Sequence, residues 1–191
     1  MKVIGFDIGI NNLAYCVIDS NTLKILDWKI IQLKASGEKI DFETTSIRLL
    51  DAMHEHFGND TNIGAVIIEN QPVMKNPVMK SIQIMIYTYF IMMKRNKERN
   101  SLDDSQQMIV KLVSAQNKLK VSYKDLVDTT SVTTTDKYKR NKQLAIAYTQ
   151  YFLNNTEQNA SWKNMFENSK KKDDLSDSNQ MIVWWIENNK K

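Results

Sequence analysis

The sequence predicts an α/β fold with a five-stranded mixed sheet flanked by helices, because three β-rich runs come first and helical and strand patterns then alternate. The β-rich runs, residues 2–8, 12–19 and 24–33, are separated by short turn sequences rich in Gly, Asn, Ser and Thr. This spacing is typical of an antiparallel meander. A chain of 191 residues can bury a sizeable core, so we expect a single domain over residues 1–191.

The elements after the meander are predicted by the spacing of apolar residues. Apolar side chains three or four positions apart predict a first helix between residues 39 and 57. An apolar run at residues 64–69 predicts a fourth strand. Pro77 then opens a second helix, which extends into the basic cluster at residues 94–99. Strands joined through helices are typically parallel, so the sheet is expected to be mixed.

The last third of the chain is predicted to be mainly helical. Residues 108–113 predict the fifth strand, after a turn at Asp103-Asp104-Ser105. A helix at about residues 137–153 has a strongly basic first turn. Residues 154–169 show weak periodicity, which predicts a loop or a short irregular helix. The final helix is expected at about residues 174–187.

The composition is that of a globular protein with a mild preference for polyanions. The formal net charge is +4, and lysines cluster at residues 94–97, 137–142 and 170–172. The single Cys16 excludes an intramolecular disulfide and a multi-cysteine zinc site. No secretory pattern is visible, and the longest apolar stretch, residues 81–93, is shorter than the roughly 20 residues that span a bilayer. We therefore expect an intracellular protein.

Carboxylates at three places indicate a metal site. Asp7 ends the first predicted strand and Glu69 ends the fourth, where an acid is costly to bury without a compensating cation. Asp174 and Asp177 are three residues apart, so they share a face of the last helix. Asp173 is four residues from Asp177 and is a rival for the same role. Turn formation and helix capping are the alternative explanations for each acid taken alone.

The order of these elements and acids resembles the ribonuclease H-like superfamily. Three segments, residues 6–16, 67–72 and 171–178, resemble the signatures of poxvirus-type Holliday junction resolvases, which belong with RuvC and the mitochondrial cruciform-cutting enzymes. The resemblance spans most of the chain in the expected order. It also includes the basic helix start at residues 137–142.

The resemblance implies a set of catalytic and metal-binding residues. The four carboxylates that it assigns to catalysis and to metal are Asp7, Glu69, Asp174 and Asp177. Two Mg²⁺ ions, for which Mn²⁺ can substitute, would lie about 3.5 to 4 Å apart. They would activate a water and stabilise the leaving 3'-oxygen. Asp173 is expected to act as the helix N-cap instead. Resolvases of this type place a lysine after the fifth strand, which implies Lys118 or, as second choice, Lys120. Ala115 stands where a proline is expected in the family, so the alignment that would decide between the two lysines stays open.

The implied activity is a homodimeric, Mg²⁺-dependent endonuclease that nicks two opposed strands of a four-way DNA junction. The cations expected to contact phosphates are Lys120, Lys137, Lys139, Arg140, Lys142, Lys171 and Lys172. The apolar helix after Pro77 is a candidate dimer surface. A poxvirus-like, viral origin would imply work in the cytoplasm of the host. The alternatives are another ribonuclease H-like nuclease acting on branched DNA or RNA/DNA hybrids, and a non-catalytic junction-binding protein.

Overall fold

The structure, a computed structural model, describes residues 1–35, 37–74, 76–100 and 107–189 and contains one five-stranded sheet. The strands are β1 (Lys2–Asp7), β2 (Leu13–Asp19), β3 (Ile25–Ile31), β4 (Ile63–Glu69) and β5 (Ile109–Val113). Their spatial order is β3-β2-β1-β4-β5. The first three strands pair antiparallel, whereas β4 runs parallel to β1 and β5 runs parallel to β4. The predicted meander and mixed sheet are confirmed.

Helices cover both faces of the sheet. Along the chain they are α1 (Phe42–Phe57), α2 (Pro77–Asn100), α3 (Lys137–Asn154), α4 (Ala160–Asn168) and α5 (Lys172–Asn188), with short 3-10 helices at Ala115–Leu119, Lys124–Leu126 and Glu157–Asn159. The turn predicted at Asp103-Asp104-Ser105 lies outside the described residues. In the ranges that the structure describes, no helix is both long enough and apolar enough to cross a membrane.

Residues 154–169, predicted to be a loop or a short irregular helix, contain a 3-10 turn followed by the regular helix α4. Two aromatic side chains explain why this short helix is stable. Phe166 stacks on Trp28 of β3 with ring centroids 5.3 Å apart, and Trp162 donates from its indole Nε1 to the Ile25 carbonyl oxygen at 3.0 Å. Tertiary contacts therefore order a segment whose own periodicity is weak.

The alternation of side chains along β1 and β4 separates two hydrophobic cores and sets the direction of the acids. Ile4 and Phe6 pack against α1 and α2, whereas Val3 packs against the α5 side of the sheet. Successive strand residues point to opposite faces, so Gly5 and Asp7 share the face of Val3. In β4 the same rule places Glu69 on the α5 face, because Ala65 and Ile67 belong to that core.

Gly5 allows α5 to lie unusually close to the sheet. A Cβ atom at Gly5 would lie 2.6 Å from the carbonyl oxygen of Ser178 and 2.5 Å from Cγ1 of Ile182. The first of these atoms is backbone and cannot move without moving α5. The glycine therefore fixes the distance between the helix that carries Asp177 and the strand that carries Asp7.

Gly5→Ala is expected to lower the free energy of unfolding by about 1 to 3 kcal/mol, because the added methyl forces α5 away from β1. Gly64→Ala is the matched control, since the three atoms nearest to a Cβ there all belong to the flexible side chain of Met1. Urea unfolding followed by circular dichroism measures both. Equal stability of the two variants would show that α5 does not need this close approach.

Candidate functional site

Asp7 and Glu69 lie side by side at the carboxyl ends of two adjacent parallel strands. Phe6 pairs with Ile68 in the β1–β4 register, so the next residue of each strand carries its acid to the same edge of the sheet. The two carboxyl groups lie within hydrogen-bonding reach of each other. Apolar strand sequences therefore position two acids that water cannot fully screen.

Lys118 is brought to these acids by the 3-10 helix that follows β5. The Ser114 hydroxyl accepts a hydrogen bond from the Gln116 backbone N–H and starts this turn at the end of the strand. Lys118 Nζ donates a hydrogen bond to Asp177 and lies 3.8 Å from a carboxylate oxygen of Glu69. Lys120 is exposed, and its Nζ bonds to Asn117 Oδ1 at 3.1 Å. Of the two lysines considered from the sequence, only Lys118 reaches the acids.

Helix α5 places Asp174 and Asp177 over the same edge of the sheet. The Trp28 indole Nε1 donates to the Leu175 carbonyl oxygen at 3.1 Å and to Ser178 Oγ at 3.3 Å, which fixes the first turns of α5 on β3. The Asp177 side chain is 12% exposed. Together with Asp7, Glu69 and Lys118, both acids line one cleft of about 690 Å³.

Asp173 is not the N-cap of α5, which corrects the expectation from the sequence. The helix begins at Lys172, and Lys171 at the cap position makes no side-chain capping bond. Asp173 instead accepts a hydrogen bond from Lys142 of α3. Although burial opposes it, this ammonium lowers the pKa of Asp173, whereas burial and the neighbouring Asp173 charge raise the pKa of Asp174. The adjacent aspartates are thus in opposite environments.

Among the described residues, the acids of the cleft that pair with a lysine, Glu69 and Asp177, share the single ammonium of Lys118. Burial raises the pKa of Asp7 well above its ordinary value, and the hydrogen bond to Glu69 and the charges of Glu69 and Asp177 raise it further. Burial also raises the pKa of Asp177 to about 6, against the opposing effect of Lys118. Burial alone would lower the pKa of Lys118, but the charges of Asp177, Glu69 and Asp7 raise it. Additional positive charge would stabilise the ionised acids.

The chemistry of this group fits a hard divalent cation. Its acidic side chains offer carboxylate oxygens as metal ligands, and Mg²⁺, Mn²⁺ and Ca²⁺ prefer such oxygen ligands. Asp177 Oδ1 is buried and has no hydrogen-bond partner among the described residues. In the same part of the chain, no three acid, imidazole or thiol groups already surround one point as ion ligands would. The Lys118 ammonium lies between Glu69 and Asp177 and offsets part of their charge.

A basic rim borders the acids. The residues Lys120, Lys137, Tyr138, Asn141 and Lys142 line the same cleft, as does Gln71. Lys139 and Arg140 are exposed on the first turns of α3, beside the cleft. Lys171 is exposed and Lys172 is half-buried at the start of α5. The charge pattern of the sequence predicts the cations but not Gln71, Tyr138 and Asn141, because neutral side chains in polar segments give no pattern of their own.

These features define a class by its fold. A central mixed sheet with β1 between an antiparallel and a parallel neighbour, with acids at the ends of β1 and β4 and at the start of the last helix, is a ribonuclease H-like fold. The solved structures that share this fold with the chain include Holliday junction resolvases.

The yeast mitochondrial Holliday junction resolvase superposes with a TM-score of 0.64 at 22% identity, covering 96% of this chain and 78% of the yeast chain. The fowlpox virus resolvase, solved with its substrate Holliday junction DNA, superposes with a TM-score of 0.62 at 19% identity, covering 100% of both chains. At these identities the likeness shows the shared fold.

The sequence comparisons give a viral relative but no family model. An uncharacterised protein of Acanthamoeba polyphaga mimivirus is 35% identical over 146 residues, which cover 74% of this chain. The match spans 33% of that viral protein, about a third of its length. No family model matches the chain.

Proposed function

We propose that the protein is a Mg²⁺-dependent endonuclease that resolves four-way DNA junctions by paired nicks in opposed strands. The observation that supports this most strongly is the meeting of Asp7, Glu69, Asp174, Asp177 and Lys118 in one cleft with a basic rim. The similarity in fold to resolvases from yeast mitochondria and fowlpox virus agrees with the proposal.

In the proposed reaction the acids hold the metal and the cations hold the DNA. Asp7, Glu69, Asp174 and Asp177 would bind two Mg²⁺ ions, which supply activation of the attacking water and stabilisation of the leaving 3'-oxygen. Lys118 would stabilise the negative charge of the transition state with its ammonium group. Its side chain is 14% exposed and is held in place by its acidic partners. Lys137, Lys139 and Arg140 reach the phosphates on either side.

A junction with two-fold symmetry calls for two active sites, so we propose that the protein acts as a homodimer. Part of α2 is suited to the contact. Ile82, Ile86 and Phe90 face the core, whereas Ile84 and Met92 are 45% and 61% exposed and, eight residues apart, share the opposite side of the helix. Burial of these two side chains against a second copy would favour association.

Asp174→Asn is expected to lower the rate of junction cleavage by about 100-fold or more, because it removes a proposed metal ligand. Asp173→Asn is its matched control at the neighbouring position and should lower the rate by only about tenfold, because Asp173 bonds to Lys142 and is not a proposed metal ligand. Single-turnover cleavage in Mg²⁺ measures both rates. A larger loss in Asp173→Asn would reverse the assignment of the two aspartates.

The choice of substrate tests the proposed function. Cleavage rates of a four-way junction, a linear duplex and an RNA/DNA hybrid should be compared at equal Mg²⁺ and protein concentrations. We expect the junction to be cut much faster than the other two. Preferred cleavage of the hybrid would indicate a different ribonuclease H-like nuclease, and tight junction binding without cleavage would indicate a non-catalytic binding protein.

A further inference from the structure

Tyr138 is an aromatic side chain left open to solvent at the rim of the acidic cleft. It lies in the first turn of α3, lines the cleft and is 69% exposed. Other tyrosines of α3 are covered: Tyr148 is 7% exposed, and Tyr151 stacks on Tyr123 with ring centroids 5.2 Å apart. The start of this helix thus presents a large ring where core packing does not require one.

The ring of Tyr138 is held from one side by a fixed cation. Lys142 Nζ lies 5.0 Å from the ring centroid, one helical turn further along α3. The same ammonium is bonded to Asp173 at the start of α5, so it is anchored to a second helix. The backbone at the ring is fixed as well, because Asp136 Oδ1 accepts hydrogen bonds from the N–H groups of Tyr138 and Lys139. One face of the ring is therefore occupied, and the high exposure of the residue leaves the other face accessible.

We propose that Tyr138, backed by Lys142, is a stacking platform for one unpaired nucleobase of the DNA beside the cleaved phosphate. This inference rests on the proposed function and adds a feature of substrate recognition to it. Every base offers a flat π-face to an aromatic ring, so the platform recognises an unstacked base without reading its sequence. Bases inside a linear duplex are already stacked on both sides and therefore cannot stack on the Tyr138 ring. The platform would therefore favour DNA at a branch point over an uninterrupted helix.

The surroundings of the ring favour a nucleotide over an uncharged aromatic ligand. Lys137, Lys139 and Arg140 flank Tyr138 on the exposed turns of α3, where they can contact the phosphates on either side of a stacked base. The acids are recessed in the cleft, with Glu69 and Asp177 only 14% and 12% exposed. A strand that follows the basic rim would thus place a base on the ring and the adjoining backbone over the acids.

The test combines affinity with a signal from the base itself. A four-way junction carrying 2-aminopurine at the branch point is titrated with protein in Ca²⁺, and a single-stranded oligonucleotide with the same label is titrated in parallel. Tyr138→Ala and Tyr138→Leu should weaken junction binding by about 5- to 150-fold, which corresponds to the loss of one base–aromatic stack. Both should also abolish the fluorescence change on binding. Tyr138→Phe keeps the ring and should restore the wild-type values.

Phe42→Ala is the control for the loss of an exposed aromatic residue, because Phe42 is 48% exposed at the start of α1, on the other face of the sheet. Thermal melting verifies that each variant is folded. If Tyr138→Ala and Tyr138→Leu match the wild-type protein in affinity and in fluorescence change, the platform is disproved while the proposed function stands. If the wild-type protein shows no preference for the junction over a linear duplex, the proposed function fails. The titration of single-stranded DNA then tests the platform by itself.

Discussion

Asp7→Asn is expected to abolish junction cleavage in Mg²⁺, with a loss of about 1,000-fold or more, and to leave junction binding in Ca²⁺ within a few-fold of wild type. The reason is that, in the proposed function, Asp7 would bind the metal, whereas the exposed cations of α3 would contact the phosphates. Asp177→Asn should behave in the same way, since its carboxylate lines the same cleft. Single-turnover cleavage and a binding titration, performed on the same protein preparation, separate the two effects.

Asp7→Asn should also stabilise the metal-free fold. The pKa of Asp7 is raised in the folded protein, so its ionisation opposes folding; the cost is absent below the ordinary pKa of 3.8 and grows as the pH rises beyond it. Asparagine does not ionise. The stability of Asp7→Asn relative to wild type should therefore increase from about pH 4 to pH 8, measured by urea unfolding in a chelator.

Asp19→Asn is the control with the opposite sign. Despite the opposing effect of burial, hydrogen bonds from Thr22 and Asn21 lower the pKa of Asp19, so its ionised form stabilises the fold. The contribution is present above the ordinary pKa of 3.8 and is lost as the pH falls. This variant should be less stable than wild type at neutral pH and equal to it in acid. Two results would contradict the assignment of Asp7 to the metal. One is cleavage by Asp7→Asn at the wild-type rate, and the other is a stability of Asp7→Asn that falls below wild type as the pH rises.

Lys118→Met is the second large effect that we expect, and it acts on both stability and rate. Removing the ammonium leaves Glu69 and Asp177 facing each other uncompensated, which should lower the metal-free free energy of unfolding by about 3 to 5 kcal/mol. Mg²⁺ should recover much of this loss, because a divalent cation supplies the missing charge. Cleavage should still be about 100- to 1,000-fold slower than in wild type, since the charge is absent when the transition state forms.

Lys120→Met is the matched control, because this lysine is two residues away, exposed and bonded only to Asn117 among the hydrogen bonds of the described residues. It should change stability by no more than about 0.5 kcal/mol. Urea unfolding with and without Mg²⁺ gives the stabilities, and single-turnover assays give the rates. If the two variants behaved alike, Lys118 would have no special role in the site and the alternative assignment to Lys120 would reopen.

The sequence predicted the elements that depend on local pattern. Apolar runs ending in Asp7 and Glu69 predicted two strands with acids at their ends, and the structure has both strands in adjacent, parallel positions. Pro77 predicted the start of α2, where the helix indeed begins. Periodicity and chain breakers carry this information, since it lies within a few residues of each element.

Long-range contacts decided what the sequence could not. Asp173 matched the local pattern of an N-cap, but its partner is Lys142, 31 residues away on another helix. The regular helix α4 depends on Trp28 of β3. The role of Gly5 becomes visible only when α5 lies against β1. The choice between Lys118 and Lys120 likewise depended on where the turn after β5 points, and not on either residue's neighbours in the chain.

The proposed junction-resolving activity is tested most directly by mapping the cuts on a four-way junction in which each strand is labelled in turn. We expect nicks at symmetric positions in two opposed strands, dependent on Mg²⁺ and absent in Asp7→Asn. Nicks scattered over all four strands, equal cutting of a linear duplex, or undiminished cutting in a chelator would contradict it.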